Sequence, residues 1–393
     1  MKKYLILAAA AAVTLASCAK VETYKVSEND GEMPIAFSNY APKSLVKAND
    51  TYIADNALVS GKHFAVYACA TTFGNFLAVD PGTPAFMNPA DVTYAGDTST
   101  GENNTYTPVR YWPSGDEPDN LSFTAYYPYG GAGITAPTFT SGVGTYAFTA
   151  QAAAADMVDF CVADVVNDQV YNNTNDTGAG HPQTVKFTFK HQLTKVTFQF
   201  KKVTGLDACT VIELTDVDLS GIKNAGTLTA TYAQNATPAV NALGTTTTAW
   251  SAQAGAAAYQ VTVNNVDPSS TPVVLTTTAS TIDNADIFLM VPQDMAADTQ
   301  KITVKWNVKV YDTAANATAN GSTGLISTTP NTKVLSLRDN LVTSDTDDTA
   351  VAAINWTKNA YVNYTITIGP KPIWFTAEVT PWAAVTNGYF NVQ

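Results

Sequence analysis

Charge is what this chain of 393 residues has least of. Asp, Glu, Lys and Arg make up 14%, against about 25% in an average soluble protein. What charge there is leans one way, to a net −12 and a pI near 4.6. Losing Lys2 and Lys3 with a leader would take −12 to −14. Such a balance excludes a nucleic-acid partner, whose phosphates call for a cationic surface, and a polybasic contact with lipid headgroups. Histidine is scarce as well, limited to His63, His181 and His191. Neither an HExxH nor a GxSxG spacing occurs, so nothing marks an enzyme, and no metal and no cofactor are expected. His191, just after an alternating run, reads as a cap or core-edge residue. Cysteine is confined to Cys18, Cys69, Cys161 and Cys209, with no CxxC pair. The last three allow one disulfide or serve as small buried hydrophobes. Asp345, Asp347 and Asp348 lack the Gly and the distal Glu of a calcium loop and read as a solvated acidic turn.

The first eighteen residues carry the strongest local signal. Lys2 and Lys3 precede a short Ala-rich apolar run that ends in Leu15-Ala16-Ser17-Cys18. A run of that length is too short to span a bilayer, and small residues before a cysteine are what a signal peptidase cuts. Residues 1–17 are therefore a signal peptide. Cys18 becomes the lipidated N-terminus, and residues 18–33 form a polar tether.

Long helical periods are missing, and strict alternation takes their place. Ile302, Val304, Trp306, Val308 and Val310 alternate with Lys301, Thr303, Lys305, Asn307 and Lys309. Val185–Lys190 and Val196–Phe200 do the same. Period two means one buried and one wet sheet face. Further strands are predicted at 64–68, 121–127, 211–214, 287–291, 361–368 and 375–379, with at most one short helix near Ala152–Ala155. Many short strands between Gly, Pro and Asn turns indicate an all-β chain of sandwiches. The Asn- and Gly-rich stretch 172–183 marks a domain boundary, dividing the chain into 34–182 and 183–393. Residues 220–280, rich in Thr, Ala and Asn, read as edge strands and loops.

Aromatic residues cluster at Tyr111-Trp112 and at Tyr126, Tyr127 and Tyr129. Such a cluster is either a carbohydrate platform, with Tyr111, Trp112, Tyr127 and Tyr129 as glycan contacts, or the closing layer of a core. Near the C-terminus, Phe375, Val379, Trp382, Tyr389, Phe390 and Val392 form an apolar series that needs a dock, within its own domain or in another chain.

Several segments together resemble the fimbrillin family of Bacteroidetes, which supplies major and minor fimbrial subunits. They are the lipobox at Cys18, Pro34-Ile35-Ala36-Phe37, Tyr111-Trp112-Pro113, Leu121–Pro128, Val185–Leu193, Leu289–Gln293, Tyr361–Ile366 and Val379-Thr380-Pro381-Trp382, in the family's order from end to end. The resemblance implies two tandem transthyretin-like β-sandwich domains and a structural role as a pilin lipoprotein of the outer membrane and cell surface. It implies that a protease removes the first strand, here carried by Ile35 and Phe37, by cutting in the loop that closes the 34–47 segment. It further implies that a strand from the C-terminal region of a neighbouring subunit fills the vacated groove, Phe375 to Val392 being the donor series here. Family members are cut after Arg; the first arginine here is Arg110, so the cut falls after Lys43 or Lys47 or uses another protease. Partners would be other fimbrial subunits, in a homopolymer or with tip and anchor subunits, and a host or bacterial surface ligand in adhesion. Asp312-Thr313-Ala314 and Asp348-Thr349-Ala350 resemble the O-glycosylation motif of the phylum, at Thr313 and Thr349. The alternative is a non-polymerising surface lipoprotein that binds glycans.

Overall fold

The structure is a computed structural model. It describes residues 34–40, 60–71, 86–95, 104–113, 120–140, 142–169, 184–233, 244–295, 298–344, 347–350, 352–370 and 373–381. Alternation builds most of its strands. Thr184–His191 buries Val185, Phe187, Phe189 and His191 on one side, and Lys301–Tyr311 buries Ile302, Val304, Trp306 and Val308. The chain is all-β, apart from one short α-helix and two 3-10 turns among the described residues. The stretch near Ala152–Ala155, allowed one short helix at most, holds a 3-10 turn at Ala154–Asp156, and the α-helix forms at Ala314–Ala319. There the Thr313 hydroxyl accepts the Asn316 N–H, while Asn320, at φ 49°, ends the helix in the left-handed region.

One eight-stranded sheet runs in the order Ala36–Tyr40, Thr184–His191, Cys161–Ala163, Asn120–Tyr127, His63–Thr71, Met87–Thr93 and Thr105–Tyr106, with Val166–Gln169 added against Asn120–Tyr127. It curls until its two ends meet. The Ile35 N–H donates to the Arg110 carbonyl at 2.9 Å, and Pro34 bridges Tyr111. The inner face holds a core of its own, with Phe37, Phe64, Trp112, Phe123, Phe187 and Phe189. The outer face packs on a four-stranded sheet ordered Thr245–Ala254, Ala225–Ala233, Val143–Thr149, Thr138–Thr140. Rings interlock across that interface: Tyr67 with Phe139 at 4.7 Å, Tyr126 with Tyr146 at 5.6 Å, and Phe148 with Phe160 at 6.0 Å.

A second four-stranded sheet, Phe288–Met290, Thr194–Lys202, Ala360–Ile368 and Ile373–Pro381, joins a five-stranded sheet. The latter is Ala257–Gln260, Thr210–Ile222, Lys301–Tyr311 and Leu325–Ser336, with Val273–Val274 beside Thr210–Ile222. Phe198, Phe288 and Tyr364 from one and Leu214, Val304 and Trp306 from the other share the larger core, and Tyr259 meets Phe288 at 5.8 Å. Cys69, Cys161 and Cys209 are in no disulfide.

The sheets do not divide at 182/183. Thr184–His191 lies inside the first sheet, between Ala36–Tyr40 and Cys161–Ala163. Within 220–280, expected as edge strands and loops, Thr245–Ala254 does lie at the end of a sheet, but that sheet also takes an interior strand from this stretch. That strand, Ala225–Ala233, is paired on both sides, to its hairpin partner Thr245–Ala254 and to Val143–Thr149. The physical reason is that period two tells which face of a strand is buried and says nothing of which strand lies beside it. An Asn- and Gly-rich stretch has the composition of any loop, within a sheet or between domains.

The outward face of Thr210–Ile222 carries a charged ladder. Lys309 Nζ donates to Glu213 Oε1 at 2.8 Å, Asn320 Nδ2 donates to the same oxygen at 3.0 Å, and Lys305 Nζ donates to Asp216 Oδ2 at 2.6 Å. Burial alone would raise the Glu213 carboxyl, but the bonds from Lys309 and Asn320 outweigh it and hold it below its ordinary 4.5. The unfolded chain therefore takes up the proton first as pH falls. The stability this group adds is complete above its unfolded pKa and is lost as pH falls through the lower folded value. Urea unfolding from about pH 6 down to about pH 3 is expected to show a shallower acid-side loss in Glu213→Gln than in the parent. The topology makes a second expectation: a fragment of residues 34–182 lacks Thr184–His191 and the 225–254 hairpin, and it should show no cooperative urea transition. A sharp transition would return the boundary to 182.

Candidate functional site

The feature that organises the first sheet is the slot filled by Ala36–Tyr40. This strand runs parallel to Thr184–His191, in register from Ala36 with Thr184 to Tyr40 with Thr188. Ile35 and Phe37 point into the inner core, 2% and 1% exposed. Phe37 lies 5.3 Å from Tyr106, 5.8 Å from Phe187 and 6.1 Å from Phe123. On the other edge the Tyr106 hydroxyl donates to the Ile35 carbonyl at 2.9 Å, and Asn104 Nδ2 donates to the Phe37 carbonyl at 2.8 Å. Burial pushes the Tyr106 hydroxyl up to about 12, with Arg110 pulling the other way, so it stays protonated and able to donate. Chemically, the site is an apolar trough with hydrogen-bonding walls that holds an extended segment.

Of the two residues expected in a removable first strand, Phe37 lies in Ala36–Tyr40 and Ile35 just before it. The aromatic cluster divides. Trp112 is 4% exposed and packs edge-on against Phe123 at 6.0 Å, and Tyr127 is fully buried. Neither can stack on a sugar, because both ring faces are already covered; these two assignments as glycan contacts are corrected. Tyr111 is exposed, and Tyr129 is half-buried beside Tyr126 at 6.2 Å. Phe375 and Val379 lie in Ile373–Pro381, which pairs antiparallel with Ala360–Ile368 of the same chain, Phe375 opposite Ile366 and Val379 opposite Val362. Thr313 is the exposed helix cap described above, and Thr349 lies in the short strand Asp347–Ala350. Cys18, Lys43, Lys47, Trp382, Tyr389, Phe390 and Val392 lie outside the described residues. Sequence reasoning missed Asn104 and Tyr106, which stand just before and within the two-residue strand Thr105–Tyr106, with no alternation to single them out.

A second cluster is chemically conspicuous. Asp159, Cys161 and His191 are all buried, and each offers a ligand atom within 4.8 Å of the others. The Cys161 thiol lies 3.4 Å from His191 Nδ1, and the two Asp159 carboxylate oxygens lie 2.9 and 3.1 Å from that same nitrogen. A relay from thiol to carboxylate through the imidazole needs its two different nitrogens, so this arrangement is no nucleophile triad. Burial first, and Asp159 next, push the Cys161 thiol well up and keep it neutral. The cluster pins the start of Cys161–Ala163 to the end of Thr184–His191, where Cys161 and His191 are register partners.

A family model described as fimbrillin-like matches residues 47–382. Among solved structures, a fimbrial protein of Bacteroides vulgatus is similar at 17% identity and a TM-score of 0.48, covering 89% of this chain and 99% of its own. The fimbrial anchor protein Mfa2 of Porphyromonas gingivalis is similar at 11% identity and a TM-score of 0.31, covering 89% of this chain and 98% of its own. No curated protein matches the chain.

The burial of Trp112 sets a test. Trp112→Ala should cost about 3–5 kcal/mol of stability in urea unfolding and leave Trp fluorescence as insensitive to added saccharide as in the parent. A loss of saccharide response at unchanged stability would restore Trp112 to a binding role.

Proposed function

Since the chain belongs to the fimbrillin-like family, we propose that it is a structural subunit of a cell-surface fimbria that assembles by exchanging its first strand. In this reading the chain is exported and lipidated on Cys18, tethering it to the outer membrane. A protease then cuts after Lys43 or Lys47. Residues Pro34–Tyr40 leave, and an extended segment from the next subunit enters. Ile373–Pro381 is engaged within its own sheet over nine register pairs, so the apolar residues that follow, Trp382, Tyr389, Phe390 and Val392, are assigned as the donor. Partners are further subunits of the same fimbria, and the assembled fibre serves adhesion. No helix among the described residues is long and apolar enough to cross a membrane.

The observation that supports the reading is the seat of the first strand. It is short, and its outward edge combines the Ile35 N–H bond to the Arg110 carbonyl with side-chain bonds from Asn104 and Tyr106. A strand placed so can be withdrawn without unthreading any other. The test is the N-terminal sequence of chains recovered from the surface of the native host, taken from monomer and from any SDS-resistant ladder. Ladder chains that start at Ser44 or Ala48 are the expected result. A lone monomer blocked by lipid at Cys18 would overturn polymerisation by cleavage and leave the chain as an anchor.

A further inference from the structure

The first strand is held by two unlike edges. Toward Thr184–His191 it has five parallel register pairs, main chain against main chain. Toward residues 104–111, among the described residues, the main chain contributes the Ile35 N–H bond to Arg110 and the Pro34–Tyr111 bridge. The carbonyls of Ile35 and Phe37 are met by side chains instead, Tyr106 at 2.9 Å and Asn104 at 2.8 Å. Both side chains are aimed from behind. The Ala95 N–H donates to Asn104 Oδ1 at 3.2 Å, which turns the amide so that its NH₂ faces Phe37. The Arg110 N–H donates to the Tyr106 oxygen at 3.2 Å, which leaves the hydroxyl proton for the Ile35 and Arg110 carbonyls.

We propose that Asn104 and Tyr106 are a side-chain latch that sets how long the first strand stays in its slot. The proposal rests on the reading above, in which that strand leaves. A backbone ladder opens only if neighbouring bonds break in sequence along a whole strand. Two side chains can swing away one at a time by rotamer change, with the 104–111 backbone left in place. The latch edge is therefore the one that opens first. The same two donors then face whatever enters, and they impose a pattern on it. Carbonyls at i and i+2 point to the same edge of an extended segment, and apolar side chains at i and i+2 share one face. Ile35 and Phe37 meet both conditions, and an incoming strand must do the same.

The test uses the full mature chain with the recognition sequence of a site-specific protease placed at residues 43–47, and follows loss of the cut N-terminal peptide by native mass spectrometry. Tyr106→Phe removes one donor and keeps the ring against Phe37. Asn104→Asp keeps the acceptor for Ala95 and removes the donor to Phe37. Each should speed release about tenfold, the equivalent of about 1.4 kcal/mol. Tyr146→Phe removes a hydroxyl that pairs with Tyr232 at 3.0 Å in the other core, and it should leave the release rate unchanged. Equal rates in the parent, Tyr106→Phe and Asn104→Asp would overturn the latch, as would an equal acceleration by Tyr146→Phe. Faster release in the two latch variants with no polymer formed would uphold the latch and sink strand exchange. Polymer formed at one common rate would do the reverse.

Discussion

Closure of the eight-stranded sheet by one short strand is the constraint on which the first half of the molecule depends. Thr184–His191 and the segment 104–111 face each other across a gap one strand wide, and Ala36–Tyr40 fills it. Burying Ile35 and Phe37 is worth about 3–6 kcal/mol together, and fixing the backbone of the six residues from Ile35 to Tyr40 costs about 6–12 kcal/mol. Apolar burial alone therefore leaves the strand unbound. Its hydrogen bonds, each worth about 0.5–1.5 kcal/mol net, decide whether it stays. That is why the two walls of the slot, and not only its floor, govern occupancy.

The rest of the fold is arranged so that this balance can be disturbed locally. The eight-stranded sheet is apolar on both faces, but the two faces belong to different cores. Phe37, Phe123 and Phe187 lie in the inner one; Tyr67, Tyr126 and Phe160 lie in the larger one, which continues through Leu193 into the remaining sheets. Emptying the slot exposes part of the inner core only. The larger core is held by strands that cross between the two halves. The hairpin 225–254 leaves the five-stranded side after Ile222 and pairs with Val143–Thr149, and Trp250 donates from its indole to the Gln192 carbonyl at 2.7 Å. The buried Asp159–Cys161–His191 contacts fix the far neighbour of Thr184–His191 at the end of that strand. The wall against which any strand must add is therefore anchored independently of the strand itself.

Which of this was legible in the sequence follows from what alternation encodes. Val185, Phe187 and Phe189, or Ile302, Val304 and Trp306, announce a strand and its buried face by residue type alone, and the structure places them so. Ile35 and Phe37 were legible for the same reason, at one remove through family resemblance. Neighbours were not legible. Leu228, Ala230 and Tyr232 alternate as clearly as any, yet nothing in them says that Val143–Thr149, about eighty residues back, is beside them. The buried face of that strand, Leu228, Ala230 and Tyr232, belongs to the larger core with Phe139, Tyr146 and Phe148, and the match is visible only once the strands are brought together. The same limit explains Trp112 and Tyr127: an aromatic in a turn-rich stretch looks alike whether it faces a sugar or a phenylalanine. Asn104 and Tyr106 act through single hydrogen bonds to a segment about seventy residues away, and no local pattern records that.

A chain that assembles by lending and receiving strands has to make one slot attractive and its other edges unattractive. The low charge of this chain sharpens the problem, since charge is the usual deterrent to edge pairing. The longest strand at a sheet end, Leu325–Ser336, is exposed along most of its length and carries Ile326 at 66% exposure. It also carries Pro330, which has no N–H to offer, and Lys333, whose burial against a second strand would be costly. Thr245–Ala254, at the end of another sheet, turns Thr245, Thr247 and Ser251 to solvent and offers no apolar row there. Neither edge offers a trough. The slot of the first strand differs in kind, because it joins an apolar floor to a free ladder on one side and two poised donors on the other. Under the strand exchange proposed above, selectivity would come from that combination, and a segment with the wrong spacing of apolar side chains would forfeit floor and latch at once.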